Sequence, residues 1–349
     1  MSYPGAAQPP EGVTPDLAHP DDILRTINYV TQALTVIFTT GFVATRVYAK
    51  SRIMGGSVSL DDYATYIAYV LLMGYCVTSC FASFYGGGLN QWEVPKQHIQ
   101  SFGKACYAAT LFYMPMALSV KLALLIIIIR VFGTVHRKTL IGVYCLVAML
   151  CIFYSSGFFI KMFACWPIST YWTGQGGKCL NRPAIILADS TVSVISDLAI
   201  LLLPLPLTWS LQLPLRRRLR VSGMLCAGGV ATAFSIYRLN LILRELKSRN
   251  QSIVFVKVIL SGNAEVAIGL ICACLPAVNT LYMQKTRGSS YFRQNSKSRR
   301  TASQGGEIVL TRSFRVDTSS LSNYETQSVA HEDMELGSRQ HSRSELHYK

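Results

Sequence analysis

Five ionisable residues stand inside stretches of apolar sequence: Lys121, Asp189, Asp197, Arg238 and Glu265. A charge in such surroundings is unfavourable unless a partner or a water-filled cavity compensates it, which makes each a candidate for function. Asp189 and Asp197 are eight residues apart and fall roughly on one helix face. Lys121 is expected to pair with Asp197 or Glu265, because an unpaired buried ammonium would be strongly unfavourable. Such a set can serve as a structural lock between helices, or as a ligand-sensitive switch or ion path.

Other chemistries are not written in the chain. There is no HExxH, GxSxG, phosphate loop or Cys/His zinc pattern. No catalytic residue and no metal ligand set is therefore expected. A retinal pigment of the microbial type needs a Schiff-base lysine midway along the last apolar stretch. Val258–Tyr282 contains none and Lys257 lies at its edge, so no retinal cofactor is expected.

Of the ten cysteines, Cys76, Cys80, Cys145, Cys151, Cys226, Cys272 and Cys274 lie within apolar stretches and read as small packing residues. Cys165 and Cys179 fall in a polar connection, with Cys106 near the start of an apolar stretch on the same side. A Cys165–Cys179 bridge is the preferred reading and Cys106–Cys179 the alternative, because connectivity does not follow from sequence. The sequon Asn250-Gln251-Ser252 lies in another connection on that side and makes Asn250 a glycosylation candidate.

These residues must be positioned by seven apolar stretches: Asn28–Val47, Tyr63–Tyr85, Cys106–Val131, Thr139–Ile160, Ala184–Leu207, Val221–Leu243 and Val258–Tyr282. About 20 apolar residues suffice for a helix to cross the hydrocarbon core. The expected fold class is all-α: a polytopic membrane protein with one seven-transmembrane-helix bundle over residues 28–283, its partner the lipid bilayer. Residues 1–27 are polar and proline-rich and show no cleavable signal; they are expected to be a disordered outer segment. Residues 284–349 are rich in Ser, Arg and Gly and are expected to form a disordered basic cytosolic tail.

The formal charge of +15 invites a nucleic-acid reading, but its placement explains it otherwise, since cytoplasmic loops of membrane proteins collect Lys and Arg. Alternate connections hold Arg46, Lys50 and Arg52, then Arg130, Arg137 and Lys138, then Arg216, Arg217, Arg218 and Arg220, and the tail opens with six more basic residues. The opposite side carries fewer. The expected orientation has the N-terminus outside and the C-terminus in the cytosol, with no nucleic-acid partner and the plasma membrane as location.

Helix three ends at Ile129-Arg130-Val131, placing a guanidinium at the cytosolic edge, where it can anchor at the interface or contact a partner. The run Arg216, Arg217, Arg218 and Arg220 can meet anionic lipid or an acidic partner. Pro204 and Pro206 should bend or stop helix five, Trp209 suits the interface, and Pro276 is a kink point in helix seven. In the tail, Thr301, Ser303 and Ser313 sit beside arginines as basophilic kinases prefer.

The order of these motifs resembles the fungal rhodopsin-like seven-helix family. The resemblance rests on Arg46-Val47-Tyr48 with Asp61-Asp62-Tyr63, Gly86-Gly87-Gly88-Leu89, Lys121-Leu122-Ala123 leading to Arg130, and Phe163-Ala164-Cys165-Trp166-Pro167 with Cys179. It continues through Asp197, Pro204, Pro206, Trp209, Ser235-Ile236-Tyr237-Arg238, Glu265 and Leu275-Pro276. It implies a seven-helix bundle with a receptor-like role, in a family that includes surface-sensing proteins and proteins linked to secondary-metabolite clusters. Some relatives add an outer cysteine-rich domain, which is not expected here because the N-terminal segment has no cysteine. The functional expectation is a non-enzymatic sensor of an unknown small-molecule or surface cue, coupled to a cytosolic partner such as a G protein. A metabolite or proton-coupled transporter, a transport accessory and a non-signalling scaffold are the alternatives.

Overall fold

In lipid every backbone N–H and C=O must be satisfied within the protein, so apolar runs of this length are helical. The computed structural model describes residues 5–9, 12, 16, 20–52, 58–132, 137–204, 215–245 and 250–301, without the side chains of 131–139, 215–222, 224, 225 and 284–301. Among the described residues seven helices are long and apolar enough to cross a membrane. They are α1 Arg25–Arg52, α2 Leu60–Phe84, α3 Lys96–Phe132, α4 Arg137–Met162, α5 Arg182–Leu202, α6 Leu215–Glu245 and α7 Gln251–Thr301. Residues 1–288 form one unit and 289–349 a second, of which the described part is the helical backbone ending at Thr301.

α1 shows how membrane solvent inverts the usual pattern. Its buried face is mostly polar, with Asn28, Gln32, Thr35, Thr39 and Arg46 at helical spacing. Ile27, Val30, Leu34, Ile37 and Phe38 face outward. The outward face meets lipid tails, while the inward polar groups find partners on neighbouring helices. Asn28 donates to Ser79 Oγ at 3.0 Å and to Ser83 Oγ at 2.8 Å, and Gln32 donates to Ser79 Oγ at 3.1 Å, tying α1 to α2. Asn263 of α7 donates to Thr35 Oγ1 at 2.8 Å.

Small residues let the backbones approach. Ala68 on α2 and Ala109 and Ala117 on α3 are almost fully buried, among Leu72, Met114, Met116, Leu125, Leu150 and Leu270. α2 packs along α3 and α5 along α6. The helices run past the apolar stretches at most ends: α3 begins at Lys96, ahead of Cys106, and α7 continues to Thr301, beyond the boundary near 284. Past Pro276 the sequence has no further proline to interrupt it. Pro204 is described; Pro206 and Trp209 lie outside the described residues.

At one end of the bundle, the connection between α4 and α5 forms a small hairpin. Strand β1 Cys165–Trp166 pairs antiparallel with β2 Lys178–Cys179, with Cys165 opposite Cys179 and a helical turn Thr170–Thr173 between them. At the same end the α2–α3 connection turns through Gly86 and Gly88, at φ +107° and +89°. The described part of the N-terminal segment, expected to be disordered, bonds to this turn. Leu24 N donates to Gly88 O at 3.0 Å, Asp21 N to Glu93 Oε2 at 3.2 Å and Ala6 N to Val94 O at 2.9 Å. The turn leaves its carbonyls outside any helix, and the segment takes them up.

Gly88 combines a left-handed backbone with close approach, since a Cβ there would stand 2.6 Å from Arg25 N. Gly88→Ala is expected to destabilise the protein by about 1–3 kcal/mol through that strain. A lowered melting temperature in detergent is the check, set against a Gly142→Ala control in the interior of α4 with open space around it, which should be unchanged or slightly raised.

Candidate functional site

The polar interior is built from α3, α5, α6 and α7. Lys121, buried on α3, donates to Asp197 Oδ1 at 2.6 Å, Ser196 Oγ at 2.7 Å and Ser193 Oγ at 3.1 Å, all on α5. Glu265 Oε1 on α7 lies 3.9 Å from the same ammonium. The other oxygen of Glu265 meets Arg238 Nη1 of α6 at 3.1 Å. Hydroxyls complete the set: Ser193 donates to Glu265 Oε1 at 2.7 Å, Ser235 to Asp197 Oδ2 at 2.6 Å and Tyr113 to Glu265 Oε2 at 3.3 Å. The spacing of Ser193, Ser196 and Asp197 puts one donor-acceptor face on α5. Two basic side chains thus face two carboxyl groups, so each finds a partner in a medium of low dielectric.

Asp189 does not join this group. It forms an ion pair with Lys161 at the end of α4, nearer the hairpin. Lys161 follows directly on an apolar stretch, and it is buried, with its ammonium over the Tyr113 ring at 5.6 Å.

Beside these residues, at the hairpin end, is a cavity of about 470 Å³. Lys161, Asp189, Arg182 and Arg238 contribute its charged wall, while Phe102, Ile186, Ile242, Phe255 and Ile259 contribute apolar surface. The hairpin supplies one side. Cys165 is bonded to Cys179, and Cys106 is a free, buried thiol. The loop so closed lays Tyr171 and Trp172 against Tyr107 of α3, with ring centroids at 5.0 and 5.9 Å. Gly103 permits this, since a Cβ there would be 2.9 Å from Trp172 Cβ. Burial pushes the Tyr171 hydroxyl up to about 12, so it lines the cavity as a neutral phenol.

A second charged cluster, at the opposite end, was not assembled by sequence reasoning. Arg46, counted there as a loop charge, is 2% exposed. It donates to Asp61 at 2.5 Å and Asp62 at 2.9 Å on α2, and to the carbonyl of Ala273 on α7. Lys50 meets Asp62 at 2.7 Å. Arg130, whose side chain is 58% exposed, stands 3.5 Å from Asp61 Oδ1 and donates to Ser59 Oγ at 3.2 Å. The available signal was the adjacent pair Asp61-Asp62 at the mouth of an apolar stretch, which demands cations from neighbouring helices.

Asn250 Nδ2, the atom a glycan would occupy, donates to Asn90 Oδ1 at 2.9 Å, and Ser252 donates to Gly86 O at 3.0 Å. The sequon therefore joins the start of α7 to the α2–α3 turn, and a glycan would have to break that join. Arg216, Arg217, Arg218 and Arg220 lie on helical backbone in α6, with side chains outside the described set. Thr301 ends α7 without a described side chain, and Ser303 and Ser313 lie outside the described residues.

Comparison with known proteins gives one family profile, described as fungal rhodopsin domain, matching residues 45–284. Among curated proteins, a SAT4 family membrane protein of Emericella nidulans is 29% identical over 62% of this chain and 58% of its own length. The chain therefore spans less than two thirds of that relative. Wortmanamides biosynthesis cluster protein C of Talaromyces wortmannii is 23% identical over 75% of the chain and 72% of its own length. Polyenoic acids biosynthesis gene cluster protein Ba17b of Metarhizium anisopliae is 25% identical over 33% of the chain and 34% of its own length. No solved structure matches significantly.

Truncating Lys121 to Met leaves the Asp197 carboxylate with the Ser235 hydroxyl in place of its cation and is expected to destabilise the protein by about 3–5 kcal/mol. In the double variant Lys121→Met, Asp197→Leu the loss should be well below the sum of the two single losses. Melting of the four purified proteins in detergent checks this; additive losses would mean that the two groups are not energetically paired.

Proposed function

Because the chain belongs to the fungal rhodopsin domain family, we propose that it is a receptor-like multi-pass membrane protein that senses a small-molecule cue in the cavity at the hairpin end. The observation that carries this reading is the double position of Arg238, which belongs to the cavity wall and also holds Glu265. Glu265 in turn approaches Lys121, whose main partner is Asp197. A ligand that draws Arg238 away from Glu265 shifts that carboxylate toward Lys121, and so changes the balance among α3, α5, α6 and α7. The names of two relatives after biosynthesis clusters support a metabolite-sized cue.

In this reading the hairpin end faces outward with the N-terminus, the C-terminus is cytosolic, and the plasma membrane is the location. The exposed side chain of Arg130 and the helix segment bearing Arg216, Arg217, Arg218 and Arg220 form the face for a cytosolic partner such as a G protein. The protein acts without retinal, without catalysis and without nucleic acid.

Proximity labelling from a tag on the C-terminal tail, in the native cell, tests the proposal by comparing the intact protein with Arg130→Ala. G-protein subunits or kinase-pathway proteins should be labelled by the intact protein and lost in the variant. Biosynthetic or transport proteins retained in both would overturn it in favour of an accessory or scaffold. Proton-dependent metabolite uptake abolished by Asp197→Asn would replace it with a transporter.

A further inference from the structure

The cavity at the hairpin end has an asymmetric wall. Three basic side chains, Lys161, Arg182 and Arg238, line it against one carboxylate, Asp189, while Glu265 is not part of the lining. The rest is dominated by aromatic and aliphatic side chains. Its volume, about 470 Å³, falls in the range of small-molecule sites, roughly 300–1,000 Å³.

Arg238 supplies the specific feature. Its Nη1 is taken by Glu265 at 3.1 Å, and its plane lies 4.7 Å from the Tyr113 ring. Its Nε and Nη2 are buried and have no hydrogen-bond partner among the described residues. These two nitrogens form one edge of the guanidinium, with parallel N–H donors matched to the two oxygens of a carboxylate or similar oxyanion. Leaving such donors buried without an acceptor is unfavourable. Arg182 stands on the same wall, exposed, with its guanidinium 4.9 Å from the Tyr171 ring.

From these features we infer that the cavity binds a small amphiphilic anion, with an apolar body along the aromatic wall and one oxyanion at the Nε–Nη2 edge of Arg238. The inference rests on the sensor reading for its purpose, and names the ligand class of that same site. Because both nitrogens are shielded, seating the oxyanion requires a rotation of Arg238. That rotation strains the Nη1–Glu265 contact, which is the first link to Lys121. The oxyanion can arrive on a soluble molecule or on an anionic lipid of the bilayer.

The test uses the full chain in nanodiscs of zwitterionic lipid. A decyl and a naphthyl body are each offered as carboxylate, alcohol and amine, with binding read by thermal shift. In at least one series the carboxylate should bind about tenfold or more tighter than the alcohol, as a charge-assisted bidentate contact implies. The amine should be weakest. Arg238→Lys keeps a charge but removes the donor edge, and is expected to erase most of that preference. Arg182→Gln, at an exposed position whose side chain donates a 3.3 Å hydrogen bond to Tyr171 O, should reduce it several-fold while the protein stays folded.

Repeating the titration with anionic lipid in the disc separates the sources: competition assigns the oxyanion to the bilayer, and unchanged binding assigns it to a soluble molecule. Equal binding of carboxylate and alcohol in both series, or an unchanged preference in both variants, would overturn the inference. Anion binding with no effect on the proteins labelled from the tail would remove the sensor reading and leave the ligand class standing. Arg130-dependent labelling with no anion preference would do the reverse.

Discussion

A charge buried among apolar helices has to be matched inside the protein, and Glu265 is where this constraint is tightest. Its two oxygens answer to different helices: one to Ser193 and, at longer range, Lys121, the other to Arg238 and Tyr113. No single helix pair can satisfy it. The relative placement of α3, α5, α6 and α7 is therefore set by hydrogen-bond geometry as well as by packing. Apolar contacts alone would leave these helices free to slide, since lipid tails solvate leucine as well as another helix does.

The same constraint recurs at the opposite end, again centred on carboxylates. There two adjacent carboxylates, Asp61 and Asp62, gather Arg46, Lys50 and Arg130 from α1 and α3. Arg46 also reaches Ala273 of α7. Asp62 accepts as well from Ser59, in a capping box that starts α2. One carboxylate thus fixes both a helix start and an interhelical contact. Arg130 is the outlying member, bonded at the longest distance and the most exposed, so it can leave the cluster at the smallest cost to the rest.

Much of this was legible in the sequence, because the strongest signals were physical. Seven apolar stretches of bilayer length dictate helices, and rare charges within them dictate partners. Lys121, Asp197, Arg238 and Glu265 stand out for that reason. What the sequence obscured was which charges are inside. Arg46, Lys50 and Lys161 sit at the ends of apolar stretches, where a snorkelling side chain and a buried one have identical sequence signatures. Only the facing helix distinguishes them: Asp61 and Asp62 in one case, Asp189 in the other. The cavity was hidden for a related reason, since its wall comes from six helices and the hairpin, residues far apart in the chain.

α7 joins the two ends. Glu265 and Ala273 lie on this helix eight residues apart, a little over two turns, and so on one side of it. Glu265 is engaged by Arg238 and Ser193, and the Ala273 carbonyl by Arg46. Between this pair of contacts and the tail comes Pro276, whose missing N–H weakens the helical ladder locally. A displacement of α7 that lengthens the Arg238–Glu265 contact acts on the Arg46–Ala273 contact through a continuous stretch of helix. The cluster holding Arg130 is then disturbed through Asp61, which Arg46 and Arg130 share. In the sensor reading proposed above, two charge clusters on one helix, each with limited tolerance for unpaired groups, are the route by which occupancy of the cavity would reach the far end of the bundle.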